Sequence, residues 1–195
     1  MTGHVTKKLK IMDYCSNIFN SRTETLVNTI NCVGIMGKGL AKEFKKHFPE
    51  MFEDYKKRCE NNEIKPGHPY FWPNVSGGKS IINFPSKNHW RDNSQLEWIE
   101  TGLKDFSDKH HIWDVKSVAF PALGCNNGGL DWDVVKPMMI FYLEKLGDID
   151  IEIYPPSTKL TPIKKNSLKD KRLKKGKRKE EPLPKFITAD KLKKS

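Results

Sequence analysis

Residues 28–41 read Asn28-Thr-Ile-Asn31-Cys-Val-Gly34-Ile-Met-Gly37-Lys38-Gly39-Leu-Ala41. A short apolar strand (Leu26, Val27, Ile30) runs into this stretch, and a helix leaves it. Gly34, Gly37 and Gly39 permit positive φ and a close backbone approach to a ligand. The helix that follows turns its free N–H groups toward whatever the loop holds, and such groups favour anions. Asn28 and Asn31 can donate to or accept from sugar hydroxyls. The equipment suits a phosphorylated ligand with a ribose. A glycine turn that merely caps a helix stays open as the plainer alternative. Neither common phosphate loop fits. Walker A requires four residues between its glycines and Ser or Thr after the lysine, and the dinucleotide fingerprint orders its glycines differently.

Charge divides the chain in two. Of 35 Lys and Arg and 24 Asp and Glu, residues 159–195 hold 15 and 4, which leaves residues 1–158 with 20 of each. The whole excess of +11 therefore sits in the tail. We expect a body at 1–157 that buries a core. The basic tail at 158–195 includes Lys-Asp-Lys-Arg-Leu-Lys-Lys-Gly-Lys-Arg-Lys at 169–179. That tail has too few apolar residues to offset ordering entropy, so disorder is expected there. It serves as a solubilising appendage or as non-specific attraction to nucleic acid through phosphates.

Cys15, Cys32, Cys59 and Cys125 show neither C-x-x-C pairing nor a histidine at zinc-finger spacing. No metal and no cofactor are implied. The sequence shows no signal peptide and no apolar run of membrane-spanning length, so a reducing cytoplasm is the expected location, with no membrane contact.

Along the body, strands are expected at 5–14, 26–30, 70–72, 80–84, 117–121 and 149–154. Helices are expected at 39–48, from Pro49 to about Asn61, after Ser94, and after Asp131. A Ser-Gly-Gly turn separates the third and fourth strands. Ser94 with Glu97 reads as a capping box, ahead of a helix burying Leu96, Ile99, Leu103 and Phe106. Asp131 reads as the cap of the last helix, with Pro137 in its early turns. Strands alternating with helices predict an α/β domain with a mixed sheet.

In such folds ligands lie at the carboxyl ends of strands. Three loops qualify: Gly34 to Gly39, Asn83 to Arg91, and Pro121 to Trp132. The plainer readings of other tempting residues prevail. His110-His111 ends a helix, His47 is solvated among lysines, and Cys125 packs its loop. Trp90 and Trp132 are packing aromatics, although either could stack on a base.

Four segments, in order, resemble the macrodomain family. They are Leu26 to Ala41, Asn83-Phe-Pro-Ser-Lys-Asn-His-Trp-Arg91, Leu96-Glu-Trp-Ile-Glu-Thr-Gly-Leu103 and Ala122-Leu-Gly-Cys-Asn-Asn-Gly-Gly-Leu-Asp-Trp132. The resemblance spans about residues 9–155 and leaves out the tail. It is strongest to the branch with the DarG-type antitoxins, which remove ADP-ribose from thymidine in DNA. It implies a three-layer α/β/α fold that binds ADP-ribose and hydrolyses its bond to modified nucleic acid. The alternatives are a non-catalytic ADP-ribose-binding module and an ADP-ribose 1″-phosphate phosphatase.

By that resemblance Lys87 is catalytic, attacking or activating the distal ribose carbon in its neutral form, with Arg91 and His89 as nearby cations that depress its pKa. Asn17 and Ile18 meet the adenine end, where the family more often has Asp than Asn. Asn31 faces the distal ribose. Asn28 and the first loop (Gly34, Ile35, Met36, Gly37, Lys38, Gly39) line the ligand. So does the third loop (Pro121, Leu123, Gly124, Cys125, Asn126, Asn127, Gly128, Gly129, Leu130). His89, Trp90 and Arg91 contact nucleic acid. Related enzymes that act on glutamate carry an aspartate where this chain has Gly128, which favours a nucleic-acid substrate. The resemblance also implies a monomer, with ADP-ribose and ADP-ribosylated DNA as partners. A stand-alone eraser, carried for example by a phage or mobile element, fits a chain with only a short tail after this body.

Overall fold

The computed structural model describes residues 8–73 and 77–156. The basic tail at 158–195 and the start of the expected first strand lie outside the described residues, as does Ser76 of the Ser-Gly-Gly turn.

Six strands form one sheet: β1 (Leu9–Ile11), β2 (Thr25–Ile30), β3 (Tyr70–Trp72), β4 (Ser80–Pro85), β5 (Ser117–Pro121) and β6 (Asp150–Tyr154). Their order is β1-β6-β5-β2-β4-β3. Every neighbouring pair is parallel except β3 with β4. The helices are α1 (Gly39–His47), α2 (Pro49–Glu60), α3 (Leu96–Lys109) and α4 (Trp132–Leu143).

Consecutive strand residues point to opposite faces, and here both faces are apolar. Val27 and Ile82 pack with Ile99, Leu103 and Phe106 of α3 and Val135 and Met139 of α4. Leu26 and Ile81 pack with Phe44 of α1 and Met51, Phe52 and Tyr55 of α2. The sheet is thus the middle of three layers, as the resemblance implies. Burial on both faces explains why adjacent apolar residues, Leu26-Val27 in β2 and Ile81-Ile82 in β4, replace a strict alternation.

Two helix starts follow local chemistry. Pro49 occupies the first turn of α2, where a missing N–H costs nothing. Asp131 caps α4 by accepting from the Asp133 N–H at 2.9 Å. The capping box at Ser94 does not form. Gln95 is the N-cap of α3 and makes no side-chain cap bond. The reason is tertiary: the Ser94 N–H donates to the Gly128 carbonyl at 2.8 Å, which holds Ser94 outside the helix. Leu96 is correspondingly exposed, while Ile99, Leu103 and Phe106 are buried as expected.

Candidate active site

β2, β4 and β5 run parallel, so the loops that follow them emerge at one edge of the sheet. These are the three segments singled out in the sequence. Specific contacts pin them together.

The first loop is pinned to the second. The Cys32 N–H donates to the Asn88 carbonyl at 3.0 Å. The Cys32 thiol donates to the Lys87 carbonyl at 3.3 Å. Burial, with Cys59 nearby, pushes that thiol up to about 12, so it stays protonated and can donate. The second loop is pinned to the third. Lys87 Nζ donates to the Asn127 carbonyl at 2.5 Å. The third loop returns to the first: a Cβ on Gly39 would lie 2.4 Å from Nδ2 of Asn127. Asn127 therefore sits between the start of α1 and the lysine.

Lys87 follows the last residues of β4 and is half-buried. Partial burial lowers its pKa, because desolvation disfavours the ammonium; the Asp92 carboxylate acts in the opposite direction. The sequence reading expected neighbouring cations to depress this lysine. Instead the Arg91 guanidinium lies over the Trp90 ring, 4.5 Å from its centroid, and His89 Nδ1 accepts the Arg91 N–H at 3.3 Å. The charge that reaches Lys87 is an anion, and desolvation alone carries the lowering.

Backbone conformation accounts for the glycines. Gly34 and Gly39 have φ of 76° and 56°, and Gly124 and Gly129 have 67° and 80°. Gly37 does not have positive φ, against expectation. The N-terminus of α1 carries no acidic residue in its first turn and no side-chain cap. Its first N–H groups face the loop edge, a favourable place for an anion.

Other expected ligand residues fall differently. Asn28 is completely buried, which removes it from a ligand's reach. Its Nδ2 donates to Asn83 Oδ1 at 2.9 Å on the adjacent strand, and Asn83 Nδ2 donates to Tyr70 Oη at 3.0 Å. The result is a polar rung inside the sheet. Asn31 lies at the cleft wall, but its carboxamide is turned into its own loop. Oδ1 accepts from the Val33 N–H at 3.0 Å and from the Tyr55 hydroxyl at 2.9 Å, while Nδ2 donates to the Ile35 carbonyl at 2.5 Å. Its side chain shapes the turn.

The side chains of Met36, Pro121, Leu123 and Cys125 are buried, so only their backbones can face a ligand. Ile35, Lys38, Asn126, Asn127 and Gly129 are exposed, and Leu130 is half-buried. Gly128 is buried against Ser94. Asn17 caps a 3-10 turn after β1 that begins with Ile18, whose side chain is buried. There Asn17 Oδ1 is taken up by the Phe19 N–H at 3.0 Å, while its amide nitrogen is free to face outward. Trp90 is exposed and Trp132 is buried, so only Trp90 can stack on a base.

Three participants were missed in the sequence. Asp92 had a signal, being five residues from Lys87. Ser94 and Tyr55 had none, since their roles arise from contacts across the fold. Cys125 is not a reactive thiol, because burial raises it to about 11. His110 is a buried helix-end residue against Asp148, with Nε2 3.1 Å from Oδ2. No group of three metal-ligating side chains occurs among the described residues. Nor is any helix among them long and apolar enough to cross a membrane.

Glycine-rich loops at the carboxyl edge of a three-layer α/β/α sheet, around a desolvated lysine, define a class of ligand-binding domain. The chain belongs to the macrodomain family, whose model, "Macro domain", matches residues 27–139. It is 45% identical over 143 residues to the "DNA ADP-ribosyl glycohydrolase" of Mycobacterium tuberculosis, a match covering 72% of this chain and 41% of that protein. The chain thus spans about two fifths of the length of that curated relative. Among solved structures it resembles "Macrodomain of Mycobacterium tuberculosis DarG", with TM-score 0.74 and 41% identity over 77% of this chain and 99% of that one. It also resembles "Thermosipho africanus DarTG in complex with ADP-ribose", with TM-score 0.73 and 36% identity over 77% of this chain and 42% of that one.

Proposed function

We propose that this protein binds ADP-ribose across its three loops and hydrolyses the bond joining it to a thymidine base in DNA, with Lys87 as the catalytic residue. The observation that carries the reading is Lys87 itself. A lysine attacks only when neutral, and this one is partly desolvated at the meeting point of the loops. The similarity to a DNA ADP-ribosyl glycohydrolase and to an ADP-ribose complex supports the choice of ligand.

In this reading the diphosphate lies on backbone N–H groups of Gly37 to Gly39 and of Asn126 and Asn127, since the Gly128 and Gly129 N–H groups are used within their own turn, donating to the Cys125 and Asn126 carbonyls. Asn17 and Ile18 take the adenine end. The Lys87 nitrogen bonds to C1″ of the distal ribose while the bond from C1″ to the base breaks. That bond's electron pair leaves with the base, which takes up a proton. Water then replaces the lysine nitrogen, releasing ADP-ribose and restoring the amine. Asn127 is the acceptor that Lys87 must leave to attack.

The test is a turnover panel of ADP-ribosylated thymidine DNA, ADP-ribosylated glutamate protein and ADP-ribose 1″-phosphate, each with wild type and Lys87→Ala. We expect release from DNA alone, lowered about 100-fold or more by the substitution. A Lys87→Ala protein that still frees ADP-ribose from DNA at the wild-type rate rules out the mechanism. Binding without turnover selects the non-catalytic module, and phosphate release from the third compound selects the phosphatase. The basic tail supplies non-specific attraction to DNA in this reading. Deleting 159–195 is expected to weaken DNA binding in a salt-dependent way and to spare cleavage of a short oligonucleotide.

A further inference from the structure

Positive charge is distributed unevenly over the described residues. On α2 and α3 most of it is neutralised locally: Lys56 pairs with Glu60, Arg58 with Asp54 and Glu63, Lys104 with Glu100, and Lys109 with Asp105, which leaves Lys57 as the one cation of these two helices without an ion pair among the described residues. α1 is different. Lys38, Lys42 and Lys46 are exposed and make no ion pair among the described residues. Spaced four apart, they share one side of the helix. Lys45 adds a fourth cation, its Nζ resting 3.9 Å from the centroid of the Phe52 ring. Glu43 is the one acid within α1. The row is about 12 Å long at 1.5 Å per residue.

Its starting point matters. α1 begins at Gly39, Gly39 touches Asn127, and Asn127 holds Lys87. At the same mouth, large apolar side chains stand in solvent: Val33 is 42% exposed, Ile35 46% and Trp90 42%. The first two belong to the first loop and the third to the second loop, and the Cys32–Asn88 bond joins those loops. The Arg91 guanidinium covers part of the Trp90 ring. Apolar and aromatic surfaces beside unneutralised cations are how proteins hold an unpaired strand, with bases on the flat surfaces and phosphates on the cations. An acidic protein surface would use the lysines but give no reason for the exposed rim at the mouth.

We infer that the Lys42–Lys45–Lys46 face of α1, together with the Val33–Ile35–Trp90 rim, is a track for a single-stranded nucleic acid, holding the nucleotides that flank the modified one. The position of the modified nucleotide rests on the proposed function; binding of the strand does not.

The full chain is titrated with a labelled, unmodified oligothymidylate of about 15 nucleotides over a series of salt concentrations, a length that spans one binding face. Wild type is compared with Lys42→Glu/Lys46→Glu and with Lys104→Glu/Lys109→Glu, which changes net charge equally on α3. Thermal melts confirm that each variant folds. The α1 variant is expected to lose affinity about tenfold, with a salt slope shallower by about 1.4 for two lost phosphate contacts. The α3 variant is expected to stay near wild type. In the turnover arm, the α1 variant should cleave ADP-ribosyl thymidine nucleoside normally and a modified oligonucleotide more slowly. Equal losses in the α1 and α3 variants, or no loss in either, overturn the track, as does an equal slowing on nucleoside and oligonucleotide. If wild type cleaves no modified substrate, the proposed function fails while the binding arm still decides the track.

Discussion

The backbone amide of Ser94 donates to the carbonyl of Gly128 at 2.8 Å, and the Ser94 hydroxyl oxygen lies 2.5 Å from the point a Cβ on Gly128 would occupy. The Lys87 Cε is 3.9 Å from that same point. The start of α3, the third loop and the lysine are therefore packed around a missing side chain. The Ser94 hydroxyl is buried and makes no hydrogen bond.

Gly128→Ala should consequently disturb the lysine through Ser94 rather than through backbone strain, since Gly128 does not have positive φ. We expect a loss of about tenfold in kcat/KM on ADP-ribosylated DNA, the scale of a small misplacement of a reacting group. Ser94→Ala removes the colliding oxygen, and the double variant should recover much of the loss. Ser94→Ala alone should be neutral or stabilising by up to about 1 kcal/mol in urea unfolding, because it deletes an unpartnered buried hydroxyl. Additive effects of the two substitutions would show that this contact is not what constrains Gly128.

The same pair shows where sequence reading ends. Asp131 and Pro49 were legible as helix starts because their chemistry is local: a carboxylate that accepts a nearby N–H, and a ring that lacks one. The strand 117–121 was legible because turn residues bound a short apolar run. Ser94 with Glu97 matched a local pattern just as well, yet Ser94 is drawn off by a carbonyl 34 positions away in the chain. Asn28 reads as a ligand residue because its amide can donate to or accept from sugar hydroxyls, and its partner Asn83 on β4 is invisible without the register. The three loops were readable as one site because parallel strands deliver them to one edge. The electrostatics within the site were not, because a carboxylate, a guanidinium and an imidazole all lie within five residues of Lys87 and only geometry selects among them.

The pH dependence follows from that selection. If the neutral amine reacts, kcat rises with pH as Lys87 loses its proton and levels off above its pKa. Burial lowers that pKa, so the rise should centre below the ordinary value of 10.5. The Asp92 carboxylate favours the ammonium and holds the pKa up. Asp92→Asn should therefore move the profile further toward acid and increase the rate at neutral pH, while the plateau stays the same. A profile shifted toward alkali in Asp92→Asn would show that the carboxylate acts on catalysis in another way.

The polar rung within the sheet predicts a stability defect without a binding defect. Asn28 Oδ1 is already buried without a partner. Asn83→Ala would also leave Asn28 Nδ2 with only the Met36 sulfur, 3.9 Å away, and remove the partner of the half-buried Tyr70 hydroxyl, at about 1–3 kcal/mol for each group left unsatisfied. We expect a loss of about 2–4 kcal/mol in urea unfolding. Because Asn28 and Asn83 are completely buried, ADP-ribose affinity measured by calorimetry on the folded fraction should be unchanged. A large loss of affinity would place the rung in contact with the ligand after all.

Thiol chemistry separates the two cysteines of the site from the exposed one at Cys15. Cys32 and Cys125 belong to the first and third loops, and burial raises them to about 12 and about 11. Thiolate is the reactive form, so at neutral pH both should resist alkylation. Cys15 is exposed and should be modified first. Iodoacetamide at pH 7.5, followed by peptide mass analysis, should label Cys15 while turnover persists. Opening the loops should change this order. In a variant that weakens the contact between the first and third loops, such as Asn127→Ala, Cys125 should become measurably more reactive. Bound ADP-ribose should protect it again, since a ligand that bridges the two loops restores the burial that keeps the thiol protonated. Rapid loss of activity as Cys125 is labelled in the wild-type protein would instead make that thiol an accessible part of the site.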